Sequence, residues 1–227
     1  TRRSSDLGYL AHGKTHELFN SEISPETERR PDTYLVFNGG DLHEWPADLP
    51  IDSFYQLQIL RIINNKLTSF PNLTAVGDTL LELGLMSNDI VYIEKTYLDG
   101  LPNLEKLVLD NNKHLSHLPP SEILGKSLES LSIRSCAFKS LPDLRYMNKL
   151  LTFYLDDNPI MHICSEQLSP LDSIQHLKLP NQLDEFPNLH SVTDTLDTLK
   201  FQDGTKFKTK QISKPNAAVL HNVTTII

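Results

Sequence analysis

Only two of the 227 residues are cysteine, Cys136 and Cys164, too few for the disulfide framework on which small secreted domains depend. A fold with a large core needs none, so the count leaves the compartment open. No run approaches 18 uninterrupted apolar residues, and the first ten, TRRSSDLGYL, lack the apolar stretch of a signal peptide, so no segment reads as membrane-inserted. The chain begins at Thr1 without an initiating Met, as a trimmed piece of a longer protein would. Basic residues are in the minority, 21 Lys and Arg against 29 Asp and Glu for a net charge of −8. That balance excludes a general nucleic-acid binder, which neutralises phosphates with clustered cations, and it favours a partner surface that is basic or neutral. Also missing are G-x-S-x-G, a phosphate-binding glycine loop and H-E-x-x-H, so no motif supports catalysis or a cofactor.

What is present is a hydrophobic content of 39%, enough for a sizeable core, and one phrase written twice. Residues 70–80 read FPNLTAVGDTL and residues 186–196 read FPNLHSVTDTL. The template L-x-x-L-x-L-x-x-N-x-L, slid along the chain, explains the recurrence. Leu57 opens LQILRIINNKL, Leu80 LLELGLMSNDI, Leu104 LEKLVLDNNKHL, Leu128 LESLSIRSCAF and Leu150 LLTFYLDDNPI. Ile174 opens the shortened IQHLKLPNQL, in which Asn181 arrives early, and Leu196 opens LDTLKFQDG. A degenerate copy, TYLVFNGGDL, precedes them around Leu35 and Phe37. The steps between openings are 23, 24, 24, 22, 24 and 22, and the last five span the 116 residues that separate the two phrases.

About eight such units, over residues 32–204, resemble the leucine-rich repeats, which run 20–29 residues around this template. The physics points the same way. Alternation in L-x-L is that of a strand with one buried face, and stacked copies can bury together what a single strand cannot. With strands about 4.8 Å apart, eight of them make a curved parallel sheet of roughly 35 Å. The expected fold is thus an α/β leucine-rich-repeat solenoid, a horseshoe with a concave parallel sheet and irregular or 3₁₀ convex segments. The resemblance implies that the ninth-position Asn, leaving each strand, forms a ladder of side-chain hydrogen bonds to the backbone.

Units opening at Leu57, Leu128 and Ile174 have 22 or 23 residues and close with SFPNL, SLPDL or EFPNL; those at Leu80, Leu104 and Leu150 are longer. Pro followed by Asn or Asp suits a tight extended turn, and the longer returns have room for a helical or 3₁₀ turn. Residues 1–31 are expected to be an N-terminal tail or cap, and residues 205–227 a C-terminal cap or tail, because a solenoid must cover its open core ends. Neither end has a cysteine, whereas extracellular members of the family usually close theirs with cysteine-bridged caps.

The resemblance implies a protein-binding module without enzymatic activity. Repeats of the form N-x-I-x-x-I-x-x-x-x-L-x-G-L are similar to those of animal receptor ectodomains and secreted matrix proteins, which implies recognition, adhesion or innate immunity outside the cell. An intracellular scaffold or a self-associating structural protein is the alternative. Cys136 occupies a ninth position and reads as a buried structural thiol; Cys164 sits elsewhere around the coil, out of bridging range. The histidines show no metal-ligand spacing, His114 and His117 included. Sequons at Asn72 and Asn222 are glycosylation candidates, although 15 Asn and 35 Ser plus Thr give about two by chance, and turn chemistry explains Asn72 equally well.

Residues between the template leucines point outward and are free to serve recognition. Ile59, Ile63, Leu81, Met86 and Val108 gather apolar side chains in the N-terminal half of that face, an arrangement the core does not require. Beyond them Asp110, Arg134, Tyr154, Asp156 and Asp157 form a charged patch around one aromatic. With Arg61 these residues are the expected contact surface for another protein, or for a second copy of the chain; Tyr and Arg are the types most often found as hot spots.

Overall fold

A computed structural model describes residues 33–46, 51–180, 182–192, 194–200 and 225–226. Among these residues nine strands form one sheet in chain order, every neighbouring pair parallel. They are β1 (Tyr34–Asn38), β2 (Ile59–Ile63), β3 (Glu82–Gly84), β4 (Lys106–Val108), β5 (Ser130–Ser132), β6 (Thr152–Tyr154), β7 (His176–Lys178), β8 (Thr198–Lys200) and β9 (Thr225–Ile226). The first eight fall on the L-x-L segments of the repeats. The ninth lies inside segment 205–227, where a cap or tail is expected; the rest of that segment, and residues 1–31, lie outside the described residues.

The register shows why the spacing repeats. Leu35, Leu60, Leu83, Leu107, Leu131, Phe153, Leu177 and Leu199 pair in succession, and all eight are buried. Each template leucine thus stacks on its counterpart in the next coil, and one continuous core runs the length of the solenoid. Burying one such side chain contributes about 1.5–3 kcal/mol, so no coil can lose its row without exposing two neighbours.

After each of β1 to β6 the chain turns at a left-handed corner. Gly39, Asn64, Ser87, Asn111, Ser135 and Asp157, all in the eighth place, have φ between 51° and 72°. Glycine and small polar residues tolerate that region; β-branched ones do not. Behind the corner stands the ninth-position ladder. Asn88, Asn112 and Asn158 each donate through Nδ2 to backbone carbonyls of their own and the preceding coil. Their Oδ1 atoms accept from the amides of Leu67, Ile90 and Phe138.

On the convex side the longer units carry α1 (Lys95–Asp99), α2 (Ser121–Leu124) and a 3₁₀ turn at Ser165–Gln167. Two of the short units also hold 3₁₀ turns, Thr74–Val76 and His190–Val192. The twice-written phrase builds them. Asn72 Oδ1 accepts from the Thr74 amide at 3.2 Å, Asn188 Oδ1 accepts from the His190 amide at 3.0 Å, and Leu73 and Leu189 are buried beside them.

A candidate partner-binding surface on the concave sheet

Strands that alternate inward leucine with outward x expose three columns of side chains. Arg61 dominates the N-terminal half. Its guanidinium crosses from β2 to Glu82 on β3, with Nε at 3.0 Å and Nη2 at 2.6 Å from Oε1, and sits 5.7 Å from the centre of the Tyr34 ring. Lys106 on β4 reaches the other Glu82 oxygen at 3.3 Å. Burial disfavours ionisation of Glu82, but the hydrogen bonds and charges of Arg61 and Lys106 outweigh it and hold the carboxyl below its ordinary range. A β-carbon on Gly84 would stand 3.2 Å from Arg61 Cγ and 3.8 Å from Met86 Cε, so both side chains fold over the bare backbone there. Around them Ile59, Ile63, Leu81, Met86 and Val108 are all half-buried. Among the described residues the strongly exposed large apolar side chains are others: Tyr55, Val91, Tyr92, Tyr146 and Met161.

The C-terminal half is organised by two carboxylates. Asp110 Oδ1 accepts from Ser132 Oγ at 2.6 Å and from the Arg134 amide at 2.9 Å. Burial nonetheless raises its pKa above the ordinary value. Asp156 is 1% exposed and lies between two cations, Arg134 Nε at 3.0 Å and Lys178 Nζ at 3.0 Å. It shapes the face by fixing those two residues. Asp157, at its left-handed corner, is exposed and accepts from Ser135 Oγ at 3.3 Å. Tyr154 stands half-exposed on β6, in register with Ser132 and Lys178.

The fold therefore brings Asp110, Arg134 and Asp156 into one connected network with Lys178, and sets Arg61 in a second with Glu82, Lys106 and Tyr34. Reading outward columns singly misses Glu82 and Lys106. Setting adjacent strands side by side reveals the alternation Arg61, Glu82, Lys106. Among the described residues no group of three His, Cys, Asp or Glu could hold a metal ion, and no helix is long and apolar enough to cross a membrane.

Other candidates lie off the sheet. Both cysteines are free, Cys136 buried and Cys164 exposed. Burial pushes the Cys136 thiol up to about 12, and Sγ faces the Leu109 carbonyl at 3.4 Å; it fills a rung of the ladder. Asn72 is exposed on the convex side, at the edge of a groove of about 470 Å³ that also touches Trp45, Phe70 and Tyr97. Asn222 lies outside the described residues.

Among solved structures, the leucine-rich-repeat domain of the type III effector XopL superposes with a TM-score of 0.59 at 17% identity, covering 100% of this chain and 83% of that one. The chain is a leucine-rich-repeat protein. Its repeats also align, with a TM-score of 0.50 at 14% identity, over 73% of this chain and 38% of the functional domain of InlJ from Listeria monocytogenes, which includes a cysteine ladder. In sequence the repeats are 32% identical to rat lumican over 125 residues, 55% of this chain and 36% of that protein. They are 34% identical to chicken lumican over 119 residues, 49% and 34% respectively. The match thus spans about a third of each lumican. No family model matches the chain.

Proposed function

We propose that the chain is a non-catalytic recognition module that binds another protein on its concave face, as part of a receptor ectodomain or a secreted binder. One observation carries this reading: the inward columns are nearly uniform from coil to coil, while the outward columns vary along the sheet. Positions that packing does not constrain hold Arg61, Met86, Arg134 and Tyr154, the types that anchor interfaces. The extracellular setting is supported by the likeness to lumicans, which are extracellular. The free cysteines favour the second reading, an intracellular scaffold. Screening the chain against an array of secreted proteins and ectodomains tests the first. Met86→Glu and Tyr154→Glu abolish the captured interaction, and Tyr55→Glu on the far flank leaves it intact. Capture insensitive to both concave changes removes the face from consideration. Mass measurement on the protein isolated from its native source tests the setting: a glycan at Asn72 excludes a cytosolic scaffold.

A further inference from the structure

The last third of the concave face carries a charge opposite to that of the whole molecule. Outward from β6, β7 and β8 point Thr152, Tyr154, His176, Lys178, Thr198 and Lys200, all half-buried. They offer three hydroxyls, an imidazole and two ammonium groups, and no carboxylate, on a chain of net charge −8. Lys178 and Lys200 are register partners on adjacent strands, an arrangement of like charges that destabilises a sheet unless a counter-charge lies nearby. The counter-charge present is Asp156, 1% exposed and already shared between Arg134 and Lys178. Two cations thus already share that one buried anion. Among the described residues, the Lys200 ammonium has no partner.

We infer that this patch docks a short acidic segment of the partner protein, with carboxylates accepting from Lys200, Lys178, His176 and the Tyr154 hydroxyl. The inference rests on the concave-face reading above and adds the chemistry of the ligand. All six side chains can donate hydrogen bonds, so the complementary surface is rich in acceptors and negative. Its extent sets the length. From β6 to β8 is two strand spacings, roughly 10 Å, the reach of about three extended residues. Exposed Asp157 stands on one rim; its repulsion disfavours a long polyanion that would overrun the patch, and so favours a peptide over a sulfated polysaccharide or nucleic acid. The bulk charge points to a basic or neutral partner surface, and on these three strands the local arrangement reverses that expectation.

Fluorescence anisotropy with labelled hexaglutamate, at low ionic strength, tests the site directly. Hexaglutamate binds saturably, Lys200→Glu and His176→Glu each weaken it at least tenfold, and Tyr55→Glu does not; hexalysine fails to compete. Thermal melts of the variants match the parent, since neither side chain packs in the core. Absence of saturable binding, binding that Lys200→Glu leaves unchanged, or a heparin hexasaccharide or single-stranded DNA displacing the peptide at far lower concentration overturns the proposal. The array supplies the separation. A partner lost on Met86→Glu and Tyr154→Glu but retained by Lys200→Glu leaves the recognition reading standing and ends the acidic-segment one.

Discussion

Asn158 commits its entire side chain to the backbone, donating to the Ile133 and Leu155 carbonyls and accepting from the Phe138 amide. Removing it strands buried polar groups on two coils at once. An Asn158→Ala variant is expected to lose about 2–4 kcal/mol in urea titrations, because several hydrogen bonds go and their partners stay buried. Cys136→Ala, at the rung whose thiol faces carbonyls at 3.4 and 3.5 Å, should lose about 1 kcal/mol. Two carboxylates on the sheet should respond to pH in opposite directions. Glu82, held below the ordinary range by Arg61 and Lys106 once burial is overcome, stabilises the fold at neutral pH, and that contribution vanishes as pH falls through its folded pKa. Asp110, raised by burial, binds its proton better folded than unfolded, so its charge costs stability at pH 7 and the cost is relieved on acidification. Asp110→Asn keeps the acceptor for Ser132 and Arg134. It is expected to be at least as stable as the parent at pH 7, with the difference shrinking toward pH 4 in parallel melts; Glu82→Gln should be the less stable at pH 7, with its deficit closing in acid.

Between coils, the elements meet backbone to backbone. A β-carbon on Gly77 would lie 1.8 Å from the Gly100 carbonyl oxygen, which is where the return of one coil packs on α1 of the next. Gly77→Ala must push those segments apart and should cost about 1–3 kcal/mol. The left-handed corners make a sharper test. Asn111, with φ of 60°, should accept glycine with little change and lose about 1–2 kcal/mol to valine, whose branched carbon opposes that conformation; equal stability of the two variants would show that the corner is not held left-handed. These corners mark a limit of what the sequence displays. The leucine and asparagine columns are legible because one residue type recurs. The eighth place reads G, N, S, N, S, D, unified by a tolerated backbone angle and not by a side chain. It becomes a pattern only once the dihedral is known.

At the scale of the whole solenoid, the fold follows from the period, because each leucine row needs its neighbours and admits one stacking direction. The surface is harder to read. Net charge of −8 averages over convex and rim carboxylates and conceals a cationic strip on β6–β8, and the partners of Arg61 lie 21 and 27 residues away, visible only when coils are laid side by side. The same one-dimensional stacking governs stability. Each coil touches only the next ones, so opening should begin at an end and advance inward at the cost of one interface per coil. Amide exchange measured by mass spectrometry is therefore expected to be slowest at Leu83, Leu107, Leu131 and Phe153, whose strands have paired neighbours on both sides. It should quicken toward the end strands of the sheet, β1 and β9. Removing one central ladder residue, as in Asn112→Ala, should split that profile, because it weakens the interface that transmits protection from one half to the other. Uniformly raised exchange in that variant would instead mean that the coils open together, as one cooperative unit.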